Sequence, residues 1–160
     1  MFALLRTSIR LSGLFCLVLG SLSVQAQVFP RGNGMALAGL DRADLYVEIR
    51  SWIGIAEDQT QFRLNTQRLF ETGLRSAGVT RRAADKHYLV CSLQAQTAGN
   101  LLAYSTRLEY WNIKSTDVHA LLWENGGLST VPTNQFNEKL AADECLRLFT
   151  EEWSKWNPRT

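Results

Sequence analysis

The sequence lacks most of the residue patterns that carry enzymatic chemistry. It contains two histidines, three cysteines and three prolines in 160 residues. It has no Gly-x-Ser-x-Gly nucleophile elbow, no phosphate-cradling glycine-rich loop and no His-Glu-x-x-His helix. We therefore expect a protein without catalytic activity and without a metal or cofactor. A small hydrolase or lyase that uses His87 or His119 with a nearby acid is the weaker alternative.

A long hydrophobic run is also missing. The most apolar stretch, residues 11–22, holds roughly a dozen residues, whereas a membrane-spanning helix needs ~20. Arg6 and Arg10 precede this stretch, and Val-Gln-Ala at residues 24–26 follows it, which is the layout of a secretory signal peptide. We predict cleavage after Ala26 and a periplasmic or secreted mature protein with no stable membrane span.

Two other interpretations of the leader involve the membrane. The first is a retained N-terminal anchor, which the short apolar run disfavours. The second is a lipoprotein acylated at Cys16, but the preceding Phe15 is too bulky for that processing, and Cys16 lies inside the apolar run. Soluble export is the better interpretation.

Neither charge sign is in excess. Removal of Arg6 and Arg10 with the leader leaves fifteen basic and fifteen acidic side chains. This balance does not imply a basic patch for nucleic acid or anionic lipid, and we expect no nucleic-acid partner. About 134 residues remain, which suffice for one domain with a proper core and are too few for two.

Cys91 and Cys145 are the two cysteines of the predicted mature chain. In an oxidising compartment, such a pair is a candidate disulfide. Both also fall on the apolar sides of their elements, so buried thiols are the open alternative. A bridge would close a loop of about 54 residues and contribute ~4 kcal/mol in the loop-entropy model.

The hydrophobic pattern predicts a single domain over residues 41–158. Residues 27–40 are rich in glycine and lack periodicity, which predicts a flexible lead-in. Strict alternation over residues 45–55 predicts the first strand. An apolar stripe between Asp58, a capping residue, and Gly78, a terminating glycine, predicts the first helix.

The later elements are predicted to be mostly strands. Strands are predicted over residues 87–96, 101–113, 118–124 and 128–131. A final helix is predicted between Pro132 and Pro158, with Thr133 or Asn134 as its N-terminal cap. Asn-Gly-Gly at residues 125–127 predicts a turn between the last two strands. The order β-α-β-β-β-(β)-α predicts an α+β fold with an antiparallel-rich sheet of four to five strands. Both helices are expected on one face, since this buries both helical stripes at once.

Aromatic residues are predicted on the other face of this sheet. Alternation places Tyr46, Trp52 and Trp111 opposite to the core-facing positions, and Trp123 joins them from the fourth strand. An exposed aromatic patch is typical of a contact surface. We therefore predict binding of a protein partner or a second copy, with a glycan as the alternative. Burial of the rings beneath the lead-in or the loop around Arg81 is the competing interpretation.

The element order and two short stretches resemble a group of bacterial cell-envelope domains. The stretches are Leu-Tyr-Val-Glu at residues 45–48 and Ala-Leu-Leu-Trp-Glu at residues 120–124, ahead of two glycines. The group includes the small α/β domain of the curli secretion channel and the periplasmic lipoprotein of Pel polysaccharide export. The resemblance covers residues 41–158 and implies an anticodon-binding-like fold that acts in assembly rather than catalysis. It transfers no site residues.

Overall fold

Alternating hydrophobic residues build one mixed sheet of six strands. The computed structural model describes residues 31–158, so the predicted signal peptide and residues 27–30 lie outside the described residues. In chain order the strands are β1 (Arg31–Gly32), β2 (Arg42–Ile53), β3 (Thr80–Arg81), β4 (His87–Ala98), β5 (Leu101–Ser115) and β6 (Val118–Pro132). Their order across the sheet is β1-β6-β5-β4-β2-β3. β2 runs parallel to β3 and β4, and the other pairs are antiparallel.

Helix α1 (Gln59–Ala77) forms where the sequence predicts it. Asp58 caps its N-terminus by accepting a hydrogen bond from the backbone N–H of Gln61, at 2.7 Å. Gly78 ends the helix at a φ of 104°, in the left-handed region that glycine adopts without steric cost. The helix connects β2 to the parallel strand β4, as a crossover connection must.

Helix α2 (Glu138–Trp156) begins later than the sequence predicts. Thr133 and Asn134 lie in a short 3-10 helix, and Asn137 caps α2 by accepting a hydrogen bond from the N–H of Leu140. The two helices pack against each other on the same face of the sheet, which confirms the predicted α+β arrangement. Over residues 31–158, neither helix is long and apolar enough to cross a membrane.

The core fills the space between the helices and the sheet. Leu89 from β4 meets Phe70 from α1 and Phe149 from α2 in a cluster that excludes water. Cys91 of β4 and Cys145 of α2 are fully buried and form a disulfide bond. The bond joins α2 to a central strand. Of the two alternatives that the sequence left open, the structure therefore has the disulfide and not two buried thiols.

The prediction of a flexible lead-in is wrong for residues 31–40. β1 pairs with β6, and a short 3-10 helix follows it. Leu37 and Leu40 are buried in the core. The side chain of Asn157 accepts a hydrogen bond from Gly39 N–H and donates one to the Leu37 carbonyl. Two apolar anchors separated by glycine show no helical or strand period, which is why the pattern predicts no structure here.

The predicted turn at residues 125–127 is also wrong, because β6 continues through it as one strand. The predicted fourth and fifth strands are therefore a single strand paired with β5 along its length. A Cβ atom on Gly126 would lie 2.7 Å from the carbonyl oxygen of Thr106 in β5. Glycine in this strand permits the close approach of a neighbouring backbone rather than a turn.

Candidate functional site on the open face of the sheet

The second face of the sheet carries no helix within residues 31–158, and we call it the open face. Its side chains form rows across β2, β4, β5 and β6, because residues in register lie side by side, roughly 5 Å apart. The rows are Asp44, Tyr88, Trp111 and Leu121; Tyr46, Val90, Glu109 and Glu124; and Glu48, Ser92, Arg107 and Gly126. The face is thus aromatic at one end and charged in the middle.

Four rings form what we call the aromatic strip: Tyr46, Tyr88, Trp111 and His119. Tyr46 meets the Tyr88 ring edge to face at 5.8 Å, and Tyr88 lies parallel to Trp111 at 6.3 Å. His119 Nδ1 lies 2.6 Å from the Tyr88 hydroxyl. The strip therefore crosses all four long strands. Each ring is held by a neighbour, so little side-chain freedom remains to be lost on binding.

Asp44 anchors one end of the aromatic strip. Its buried carboxylate accepts hydrogen bonds from the Tyr46 hydroxyl at 2.7 Å and from the N–H groups of Leu45 and Ala84. Arg81 Nε lies 3.2 Å away. Burial alone would raise the pKa of Asp44, but the bonds from Tyr46, Ala84, Leu45 and Arg81 together lower it. The carboxylate stays ionised at neutral pH and fixes the position of Tyr46.

Ion pairs cross the middle of the open face. Arg107 Nε lies 2.9 Å from Glu109 and its NH1 nitrogen lies 3.9 Å from Glu124. Arg50 approaches the same Glu109 at 3.7 Å, and Trp111 Nε1 donates a hydrogen bond to it at 3.1 Å. The two glutamates are buried while the arginines remain exposed. The network therefore presents ordered guanidinium groups beside the aromatic strip.

Exposed apolar side chains complete the open face. Tyr46 is 44 % exposed, and Leu121 and Leu128 of β6 are 37 % and 58 % exposed. Leu121 is paired with Trp111 and therefore extends the strip. Apolar groups rimmed by charge are characteristic of surfaces that bind another molecule.

The competing interpretation, burial of the rings, holds only at the Asp44 end. The loop around Arg81 packs on Asp44 and leaves Tyr46 exposed. Within the lead-in, β1 pairs with the edge of β6, and the 3-10 helix at residues 34–37 packs against α2 on the helix side rather than over the strip. Tyr46 and Trp111 therefore lie on the open face, as predicted, and their role in binding remains a prediction.

Trp52 lies on the helix side, contrary to the predicted aromatic face. Between Ile49 and Ser51 the register of β2 against β4 shifts, so that Arg50 is the extra residue of a bulge. A shift by one residue moves every later side chain to the other face. The Trp52 ring therefore packs against Phe62, with ring centroids 4.7 Å apart.

Trp123 is also placed differently from the prediction, and a second bulge explains it. Tyr110 pairs with Trp123, but the next residue, Trp111, pairs with Leu121, so that Leu122 is extra. Trp123 shares the helix side with Tyr110 and is 1 % exposed in the core. Its indole contributes to the core rather than to the contact surface.

The predicted aromatic face lacks two members of the strip, namely His119, which the sequence offered only as a catalytic candidate, and Tyr88. Alternation places it outward, but nothing in its own strand marks it as part of a cluster. The signal was the turn at Gly99 and Asn100: a two-residue connection pairs Ala98 with Leu101. Counting back along both strands brings Tyr88 opposite Trp111.

The two histidines lie on opposite faces of the sheet and do not share a site. His119 belongs to the aromatic strip. His87 stacks on Tyr110 at 5.8 Å, its Nε2 lies 2.7 Å from Asn112 Nδ2, and it lines a cleft of about 600 Å³. Within residues 31–158, no three His, Cys, Asp or Glu side chains are grouped closely enough to hold a metal ion.

No protein-family model and no curated protein matches the sequence. The fold is similar to a single-substitution variant of the PelC dodecamer from Paraburkholderia phytofirmans, with a TM-score of 0.50 and 12 % identity over 80 % of this chain and 97 % of that chain. The PelC dodecamer in another crystal form has a TM-score of 0.49 and 11 % identity over 78 % of this chain and 96 % of that chain. A DUF4136 family protein from Bacteroides thetaiotaomicron has a TM-score of 0.41 and 10 % identity over 79 % of this chain and 95 % of that chain. The first likeness confirms, at the level of fold, the predicted resemblance to the Pel export domain.

Proposed function

We propose that this chain is an exported cell-envelope domain that acts without catalysis, by assembling with further copies of itself through the open face. The observation that carries the proposal is the aromatic strip, whose rings are ordered yet only partly covered by the rest of residues 31–158. Aromatic residues and arginines are enriched in the cores of protein interfaces. Here they lie side by side as Tyr46, Trp111, Arg50 and Arg107.

Two further observations support a second copy as the partner. The solved protein with a similar fold, PelC, is a dodecamer. The predicted mature chain has equal numbers of basic and acidic side chains, and a net charge near zero favours association of identical molecules. The predicted signal peptide supports export to the envelope.

Sedimentation velocity of the mature protein, residues 27–160, tests the proposal. We expect a defined oligomer that Leu121→Lys converts to monomer, because a lysine placed beside Trp111 would bury an unpaired charge at the interface. Leu64→Lys on α1 is the matched control, since Leu64 and Leu121 are equally exposed, at 37 %. A monomeric wild-type protein at all concentrations, or equal losses in the two variants, contradicts the proposal.

A carbohydrate-binding module is the second candidate function. The parallel planes of the half-buried Tyr88 and Trp111 rings favour it, since flat rings at a surface can stack on sugar faces. In that case the mature protein binds a glycan array, and Trp111→Ala abolishes this binding without changing the sedimentation coefficient. If Trp111→Ala instead abolishes the oligomer, and the wild-type protein binds no glycan, the result favours self-assembly.

A further inference from the structure

A polar cleft of about 600 Å³ lies where β2 and β4 begin, and it shares no lining residue with the aromatic strip. This volume falls within the range of small-molecule sites. Its walls are residues 36–42 and the loop that follows β3. The side chains that define its chemistry are Arg42, Arg82, Asp85, Lys86, His87 and Tyr110.

Positive charge prevails in the cleft. Arg42, Arg82 and Lys86 face two acids, Asp41 and Asp85. Both arginine side chains are exposed, and the Nε atoms of Arg42 and Arg82 lie 3.9 and 4.0 Å from Asp85 Oδ2. These distances are too long for hydrogen bonds. The guanidinium groups are therefore near one carboxylate but do not grip it, and each retains a fork of donors that fits an oxyanion.

The loop that carries Arg82 and Asp85 is held rigidly. Ala84 adopts a φ of 56°, which is unusual for a residue other than glycine. Its N–H donates to the buried carboxylate of Asp44 at 2.9 Å, and the N–H of Arg82 donates to the Ala43 carbonyl at 3.0 Å. A strained backbone persists only where its surroundings hold it, and such strain clusters at ligand sites.

A neutral donor lies at the inner wall of the cleft. Burial, together with the negative charge of Asp85, raises the pKa of Tyr110 to about 12. The phenol therefore keeps its proton at neutral pH and adds no negative charge that would repel an anion. His87 packs beside it and lies 3.8 Å from Asp85 through Nδ1.

We infer that this cleft binds a small oxyanion, a phosphate or carboxylate group, to which Arg42 and Arg82 donate the hydrogen bonds that they do not make to Asp85. Asp85 acts as an internal competitor, because its carboxylate occupies the space between the two guanidinium groups when the cleft has no ligand. The inference is independent of assembly through the open face. The oxyanion belongs either to a soluble sugar acid or phosphate, or to a lipid headgroup.

Titration calorimetry of the mature protein with inorganic phosphate and with glucuronate tests the soluble source. We expect saturable binding to at least one probe, weakened at least 10-fold in the double variant Arg42→Gln/Arg82→Gln. The control is Arg68→Gln/Arg75→Gln on α1, which removes the same charge from exposed positions and leaves binding unchanged. Co-sedimentation with phosphatidylglycerol vesicles, against phosphatidylcholine vesicles, tests the lipid source with the same variants.

Asp85→Asn provides a test with the opposite sign. The amide oxygen still accepts the 3.0 Å hydrogen bond from His87 N–H, so the loop is retained, while the competing charge is removed. We expect binding to tighten at least 3-fold. Unchanged or weaker binding in Asp85→Asn, equal losses in the two arginine double variants, or no binding to any probe would overturn the inference.

Discussion

The two faces of the sheet hold tryptophans in opposite environments. On the helix side, Trp123 is buried and Trp52 packs against Phe62. On the open face, Trp111 is half-buried between Tyr88 and the ion pairs of Glu109. The same residue type thus contributes to the core on one side and to a surface on the other.

The difference shows that strand register, rather than residue type, decides what an aromatic side chain does. Trp52, Trp111 and Trp123 all lie on strands. If the alternation of each strand continued without a bulge, all three side chains would lie on the open face. Bulges at Arg50 and Leu122 move Trp52 and Trp123 to the other side. A single extra residue therefore separates a core position from a contact position.

Trp123→Ala should have the largest effect. The side chain is 1 % exposed, so its removal leaves a cavity beside Tyr110, and we expect the free energy of unfolding to fall by about 5 kcal/mol. Urea unfolding followed by circular dichroism measures this. A loss no greater than that of Trp111→Ala would place both rings in equivalent environments and remove the contrast between the faces.

Removal of the disulfide, which lies on the helix side, should destabilise the whole domain. The double variant Cys91→Ala/Cys145→Ala frees a loop with a sequence separation of 54 residues. We expect a loss of about 4 kcal/mol, because the unfolded chain regains the entropy that the bridge removes. Unfolding of the wild-type protein with and without reductant gives the same comparison. Equal midpoints in both conditions would contradict the bond.

Asp44→Asn tests whether the open face contributes to stability through its anchor. Folding lowers the pKa of Asp44, so its ionised form is favoured in the folded protein. The contribution is complete above the ordinary value of 3.8 and is lost as the pH falls through the folded pKa. We expect Asp44→Asn to cost about 2 kcal/mol at pH 7. The stabilities of the variant and the wild-type protein should begin to converge as the pH falls below 3.8; a constant difference across pH 3 to 7 would exclude the ionised anchor.

Trp111→Ala should have the smallest effect on stability. Its ring lies on the open face, and we expect unfolding of the monomer to change by no more than about 1 kcal/mol. Assembly should nevertheless be lost, since the aromatic strip would be interrupted at its centre. Paired measurements of unfolding and sedimentation separate the two effects. A large loss of stability with intact assembly would reverse the assignment of this face.

Local features could be predicted from the sequence. Asp58 and Gly78 mark both ends of α1, because capping and left-handed termination depend on single residues. The one-sided placement of the helices follows from two apolar stripes that need one surface. The register of β5 follows from the short turn after β4.

Features that depend on contacts between distant segments could not be predicted from the sequence. The bulge at Arg50 depends on how β2 meets β4, and no residue in either strand signals it. Gly126 has the composition of a turn, yet its role is to accommodate the backbone of β5. Leu37 is buried only because α2 packs over it, and the local pattern carries no trace of that contact.

Hydroxyl-radical footprinting of the mature protein at low and high concentration tests the central claim most directly. We predict that Tyr46 and Trp111 are oxidised in dilute solution and protected at high concentration, while Trp123 is protected in both. Oxidation of Trp111 that does not depend on concentration would contradict assembly through the open face. Protection of Trp111 even in the dilute monomer would show that this face is covered within the chain.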